Sequence, residues 1–251
     1  MKMGLPPLSG ESLHAELMNH MPLRAEYPLG VCLVVDADRT LTPEDSGRLI
    51  GRALDIDESI RQIFEELDYV NEAFTSASRV WSNIHQSDYL REIEKVAGEL
   101  KIRSAWLDIF HEITGVAPVV VVTAGIPHVW RRVLSRAGHD RIPVFGGCHR
   151  DLDEYSISAQ SKADIVTALR NAGWVVVAAG DSRVDLLMLA AADIALFVPD
   201  HKGSPALRAE LGRVPSIRHL LVDTQYFDSL KTCTTDETTK MILQGGMWDA
   251  N

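Results

Sequence analysis

The chain is short of cysteine, has no block of basic residues and contains no long apolar run, and each shortage removes a class of function. Its three cysteines, Cys32, Cys148 and Cys233, are far apart and odd in number, with no Cys-x-x-Cys pair. That suggests neither a disulfide framework nor a cysteine zinc site and reads as reduced thiols. Acidic residues outnumber basic ones, 35 against 25, for a formal charge of −10. Such a balance argues against a nucleic-acid backbone or an anionic membrane as partner. The nine histidines show no metal-ligand spacing, which argues against a zinc hydrolase. No stretch approaches the length of a transmembrane helix, and the first thirty residues lack the basic start and apolar core of a signal peptide. The expected location is cytoplasmic.

What is there begins with Val31–Thr42, Val-Cys-Leu-Val-Val-Asp-Ala-Asp-Arg-Thr-Leu-Thr. An apolar, β-branched run ends in two carboxylates at alternate positions, Asp36 and Asp38. In a parallel α/β sheet such a run is a buried strand with chemistry at its carboxyl end. Taken alone, Asp-Ala-Asp is also ordinary turn chemistry. Two close carboxylates repel unless a cation or a shared proton intervenes, so the pair implies a metal, unequal protonation, or both. A nucleophile with a general acid needs that arrangement.

The 251 residues, 46% of them hydrophobic, suffice for one large domain or a domain with an insertion. Residues 1–30, with Pro6, Pro7, Pro22 and Pro28 and a short helical candidate at Ser12–His20, read as an N-terminal arm on the domain surface. Thr42-Pro43-Glu44-Asp45 reads as a helix start, with Thr42 as cap. Helical spacing then runs through Ile56, Ile60, Ile63, Phe64 and Leu67, through Tyr89 to Leu100, and through Ile102 to Ile113. About seventy residues of helix far exceed a normal crossover. Residues 43–115 are therefore expected to form a helical cap inserted into an α/β core of 31–42 and 116–223.

In the second part strand and helix alternate. Strands are expected from Val116 to Thr123, at Ile142–Phe145, Trp174–Ala179, Asp193–Val198 and Ile217–Val222, with one helix opening at Ser161-Lys162. That is the pattern of a doubly wound, Rossmann-like parallel sheet. The polar segment 224–251, with Thr234, Thr235, Thr238, Thr239 and a closing Gly245-Gly246, is expected to be an irregular tail.

Ligands bind outside the carboxyl ends of the strands in such sheets. The Thr123 hydroxyl, the backbone N–H groups of Ala124 and Gly125 at a helix N-terminus, and the Lys162 ammonium can cradle an anion such as phosphate. Asp36, Asp181 and Asp185 offer hard oxygens suited to Mg²⁺.

Asp36-Ala37-Asp38-Arg39-Thr40, Thr123, Lys162 and Gly180-Asp181-Ser182-Arg183-Val184-Asp185 together resemble the four motifs of the haloacid dehalogenase-like superfamily. The resemblance covers roughly Val31 to Val198 and is strongest to the phosphoserine phosphatase-like branch. Thr-Ala-Gly-Ile after the second strand is also similar to cytosolic pyrimidine nucleotidases. It implies that Asp36 is the nucleophile, forming an aspartyl phosphate, and that Asp38 protonates the leaving alcohol and then activates water. Mg²⁺ would be held by Asp36, the backbone carbonyl of Asp38, and Asp181, with Asp185 as a further ligand or orienter. Arg39 stands where small residues are frequent, Val184 stands where phosphoserine phosphatases carry Asn, and the cap shows no serine-binding Glu-and-Arg pattern. These departures bear on the amino-acid substrate and leave phosphoryl transfer intact.

The expected activity is hydrolysis of a small phosphorylated metabolite. Transfer to another hydroxyl, as in a phosphomutase, and an idle phospho-ligand binder are the alternatives. Arg48, Arg52, Arg79, Trp81 and His85 are the cap residues considered for leaving-group selection, each of which also reads as an ordinary solvated or core residue. A homodimer through the cap or the arm is compatible with the sequence.

Overall fold

Val31–Val35 forms β1, with all five side chains buried, because both faces of the sheet are covered. Its alternation divides the interior. Val31, Leu33 and Val35 enter one hydrophobic cluster, and Cys32 and Val34 the other. The computed structural model describes residues 3–198, 210, 217–220 and 232–244.

The remaining strands are β2 (Val119–Val122), β3 (Val144–Phe145), β4 (Val175–Gly180), β5 (Ile194–Phe197), β6 (Ile217–Leu220) and β7 (Thr232–Cys233). Every pairing is parallel, in the order β3-β2-β1-β4-β5-β6-β7. The doubly wound α/β fold read from the alternation is thus the fold adopted. Val35 is level with Val121 on one side and Ala179 on the other, so β1, β2 and β4 end together.

Between β1 and β2 the chain builds α2 (Ser46–Ala53), α3 (Asp57–Leu67), α4 (Asn71–Asn83), α5 (Gln86–Glu99) and α6 (Ser104–Ile113). One cluster runs from Leu33 and Val121 into Tyr89, Ile93, Trp106 and Phe110, so α5 and α6 share the core of the sheet. Helix α7 (Pro127–Arg136) follows β2, α8 (Ala159–Asn171) precedes β4, and α9 (Leu186–Ala191) follows it.

Several expected boundaries shift for physical reasons. The first inserted helix starts at Ser46 instead of after Thr42. Asp45 is its cap, accepting the Arg48 N–H at 2.9 Å, while the Thr42 hydroxyl donates to the Glu44 carbonyl. Helix α8 opens at Ala159 because the Ser158 side chain caps the Ser161 N–H, which leaves Lys162 a turn inside the helix. The N-terminal arm does more than lie on the surface. It contains α1 (Gly10–His20), buries Leu5, Leu8, Leu13 and Leu17, and bonds Leu8 N–H to the Ser156 carbonyl at 2.9 Å.

The expectation of an irregular tail is also corrected. Residues 232–244 supply β7 and α10 (Thr235–Leu243), whose Met241 and Ile242 are buried in the core against α6. Val222, residues 224–231 and the Gly245-Gly246 pair lie outside the described residues.

Candidate active site

The end of β1 places Asp36 under the ammonium of Lys162, to which it is hydrogen-bonded. Lys162 Nζ also donates to Asp185 Oδ1 at 2.7 Å, and it is 1% exposed. Asp36 Oδ2 accepts the Thr40 hydroxyl at 3.0 Å, and the same hydroxyl reaches Asp181 Oδ1 at 3.4 Å. Thr40 is itself fixed by its carbonyl, which accepts the Trp106 indole N–H at 2.9 Å. Arg39, in a left-handed conformation with φ of 63°, brings its Nε to 3.1 Å from Asp181 Oδ2.

Asp185 is a built element of its own loop. A 3₁₀ turn at Arg183–Asp185 makes Ser182 its cap. Asp185 Oδ2 accepts the Asp181 N–H, the Ser182 N–H and the Ser182 hydroxyl at 3.2, 3.1 and 2.9 Å. Its other oxygen takes Lys162, so its geometry is that of an orienter of loop and lysine. Gly180 makes this possible, since a Cβ there would lie 2.5 Å from the Asp185 Cβ.

Asp38 is held separately. Its Oδ1 accepts the Ser46 backbone N–H at 2.6 Å, and its Oδ2 lies 3.4 Å from the Trp130 indole nitrogen and 3.5 Å from the Thr123 hydroxyl. A Cβ on Gly125 would come within 2.8 Å of Asp38 Oδ2. The sequence-predicted residues Asp36, Asp38, Thr123, Ala124, Gly125, Lys162 and Asp181 all line one cavity, and buried Asp185 contacts it through Lys162. The expected cradle differs in detail. The Gly125 N–H donates to Thr123 Oγ1 at 2.9 Å, and α7 begins at Pro127, so Ala124 and Gly125 precede the helix.

Burial first, and then the charge of Asp185, push the Asp36 carboxyl up to about 7 against the pull of Lys162. Burial and Asp45 push Asp38 up to about 6. Asp181 is also raised well above the ordinary range by burial, with Arg39 opposing. For Lys162 burial acts downward, but Asp185 and Asp36 outweigh it and hold the ammonium charged. Burial is the first cause at each of these carboxyls, and the mutual repulsion of Asp36, Asp181 and Asp185 adds to it at Asp36 and Asp181. Oxygens of Asp36, Asp181 and Asp185 lie within 4.8 Å of one another, and this buried, all-carboxylate donor set fits a hard divalent cation.

A family model described as haloacid dehalogenase-like hydrolase matches residues 33–190, the span that contains every residue just described. The chain belongs to that family.

Among solved structures, this hydrolase is similar to cytosolic 5′-nucleotidase IIIB bound to cytidine. The two are 15% identical with a TM-score of 0.58, over 93% of this chain and 89% of that one. A phosphoserine phosphatase from T. onnurineus in complex with NDSB-201 gives 15% and 0.53, over 85% and 94%. A phospho-aspartyl intermediate analogue of phosphoserine phosphatase gives 16% and 0.50, over 72% and 90%. At such identities the fold is what is shared. No curated protein matches the sequence. Among the described residues, no helix is long and apolar enough to cross a membrane.

The cavity of this haloacid dehalogenase-like hydrolase measures about 450 Å³ and extends from Asp36 to α3 and α4. Of the inserted residues considered for selectivity, Arg48 and Trp81 line it, whereas Arg52, Arg79 and His85 are not among its walls. Sequence reasoning missed Tyr69 and Phe74 as walls, and took Phe64 only as part of a helical stripe. A stripe at helical spacing gives no sign of whether it faces a core or a cavity.

Proposed function

We propose that this protein is a Mg²⁺-dependent phosphatase that hydrolyses a small phosphomonoester through an aspartyl-phosphate intermediate. The observation that carries the reading is the buried Lys162 ammonium held between Asp36 and Asp185 at the level of the strand ends. A carboxylate nucleophile and an anionic phosphate repel, and a fixed cation beside both offsets that repulsion and stabilises the charge of the transferring group.

A carboxylate oxygen of Asp36 attacks phosphorus, the ester oxygen departs, and Asp38 gives that oxygen its proton. Asp38, now a carboxylate, takes a proton from water as the water attacks the phosphoryl group. Phosphate leaves and both side chains return to their starting state. The different surroundings of the two aspartates support this division. Asp36 faces Lys162 and Thr40, whereas Asp38 sits among Ser46, Trp130 and Thr123, and the cation is directed to the nucleophile. Thr123, with the Ala124–Gly125 segment and Lys162, lines the part of the cavity where phosphoryl oxygens would sit.

Asp36, Asp181 and the Asp38 carbonyl would hold the metal, with Asp185 orienting the loop. When bound, the ion neutralises phosphoryl charge. The inserted helices act as a cap that excludes bulk water and selects the leaving group.

Phosphate release from a panel of phosphorylated sugars, amino acids and nucleotides, with and without Mg²⁺, tests the proposal. Metal-dependent release that Asp36→Asn abolishes is the expected result. Release that survives Asp36→Asn in a folded protein would overturn it.

A further inference from the structure

Helix α3 is amphipathic, with Ile60, Ile63, Phe64 and Leu67 on one side, yet it buries no residue. The neighbouring α4 buries Phe74, Ala77 and Trp81. An apolar stripe left open costs free energy unless something covers it. Ile60 and Phe64 line the same cavity as Asp36 and Lys162, together with Tyr69, Phe74, Ala77 and Trp81.

The rings form a connected wall. Phe64 lies nearly parallel to Tyr69, with centroids 5.5 Å apart, and meets Phe74 edge-on at 5.1 Å. Arg183 joins this wall to the loop of Asp181 and Asp185. Its guanidinium sits 5.7 Å from the centre of the Tyr69 ring and donates to Asp68 Oδ1 at 3.2 Å. A group seated against the rings is therefore held in register with the carboxylates.

We infer that the leaving group of the substrate carries a planar ring that packs against the wall of Phe64, Tyr69 and Phe74, in a subsite formed by α3, α4 and their connection. The inference rests on the phosphatase reading for the position of the phosphate. Small and purely polar alcohols would leave the stripe as exposed as it is in the free protein, and an aliphatic chain would cover it only by giving up conformational freedom. A flat ring offers area at little conformational cost and stacks favourably on such a wall. Arg48 and Asp57 at the rim are positioned for polar edges of the ring, and they are secondary to its face.

Matched pairs of esters test the subsite, because each pair breaks the same kind of bond and differs in the ring. The pairs are a nucleoside 5′-monophosphate with ribose 5-phosphate, and benzyl phosphate with ethyl phosphate. The ring-bearing member of both pairs should show kcat/KM higher by about ten- to a hundredfold. Phe64→Ala should lower kcat/KM for the ring-bearing esters by about tenfold more than for their ring-free partners, and Tyr69→Ala should repeat that difference. Phe64 is only half-buried and Tyr69 exposed, so both variants should fold.

Calorimetric binding of the same four compounds to Asp36→Asn separates the subsite from the chemistry. Tighter binding of the ring-bearing members without turnover in the wild type would sink the phosphatase reading and keep the subsite. Equal binding and turnover within both pairs would overturn the subsite and keep the phosphatase. A preference confined to the nucleotide pair would place recognition in polar edges and overturn the ring face.

Discussion

Asp38 accepts the backbone N–H of Ser46 at 2.6 Å, so the proposed acid is bonded to the first residue of helix α2, where the inserted helices begin. The helix N-terminus favours the carboxylate, whereas burial and Asp45 favour the protonated form. A residue that must first give a proton and then take one is served by opposed influences of this kind.

The two aspartates should fail differently. Asp38→Asn keeps the nucleophile and should slow turnover by about 10²- to 10⁴-fold. With a substrate whose leaving group needs no proton, it should accumulate acid-stable or trapped phosphoenzyme, which intact-mass measurement detects. Asp36→Asn should show none under the same conditions.

The raised carboxyls give stability a pH dependence. Asp36 and Asp38 move from an ordinary 3.8 to about 7 and about 6, so the folded chain retains protons that the unfolded chain has released. Their stabilising contribution is fully present below the unfolded value and is lost as pH rises through about 6 to 7. In EDTA, the Tm of the wild type should therefore fall more between pH 4 and pH 7 than that of Asp36→Asn. Adding Mg²⁺ should recover more Tm at pH 7 than at pH 5, and identical slopes for the two proteins would count against the assignment.

Lys162 should be indispensable to the fold as well as to the reaction. Lys162→Met leaves Asp36 and Asp185 buried without their shared cation, which costs about 3–5 kcal/mol when one partner of a buried pair is lost. Chemical denaturation measures it. Adding Asp185→Asn to Lys162→Met should restore part of the stability and none of the activity.

Gly180→Ala should damage the proposed metal site without replacing a carboxylate. The new Cβ meets the Asp185 side chain at 2.5 Å, inside a loop whose three donors all converge on Asp185 Oδ2. The expected loss is about 1–3 kcal/mol of stability, with a higher Mg²⁺ requirement for turnover. An unchanged Mg²⁺ titration would show that the loop tolerates the shift.

The clustering of the candidate site was legible because Asp36, Thr123 and Asp181 stand where apolar runs stop, after Val35, Val122 and Gly180. A strand buried on both faces leaves a strong signal, and its carboxyl end is where chemistry sits. Helix α10 was missed because its threonines outweigh Met241 and Ile242, although Thr234 and Glu237 form a capping box that the spacing alone could have disclosed. The burial of Leu5 and Leu8 was hidden by Pro6 and Pro7, which break any period, and depends on pairing with Ser156 far away in the chain. The open stripe of α3 follows the same periodicity as a buried one, and only packing distinguishes them.

The central place of β1 also bears on how the chain is made. Its neighbour β4 and the ammonium of Lys162 lie far downstream, the latter 126 residues beyond Asp36. At typical rates of synthesis that separation corresponds to a wait on the order of ten seconds. Strand β2 is synthesised within that interval and can pair one edge of β1, but the edge that β4 later takes stays open throughout, and Asp36 lacks the ammonium it meets in the fold. Helices formed between β1 and β2 would shield the open edge of Val31–Val35 from pairing with other chains until β4 emerges.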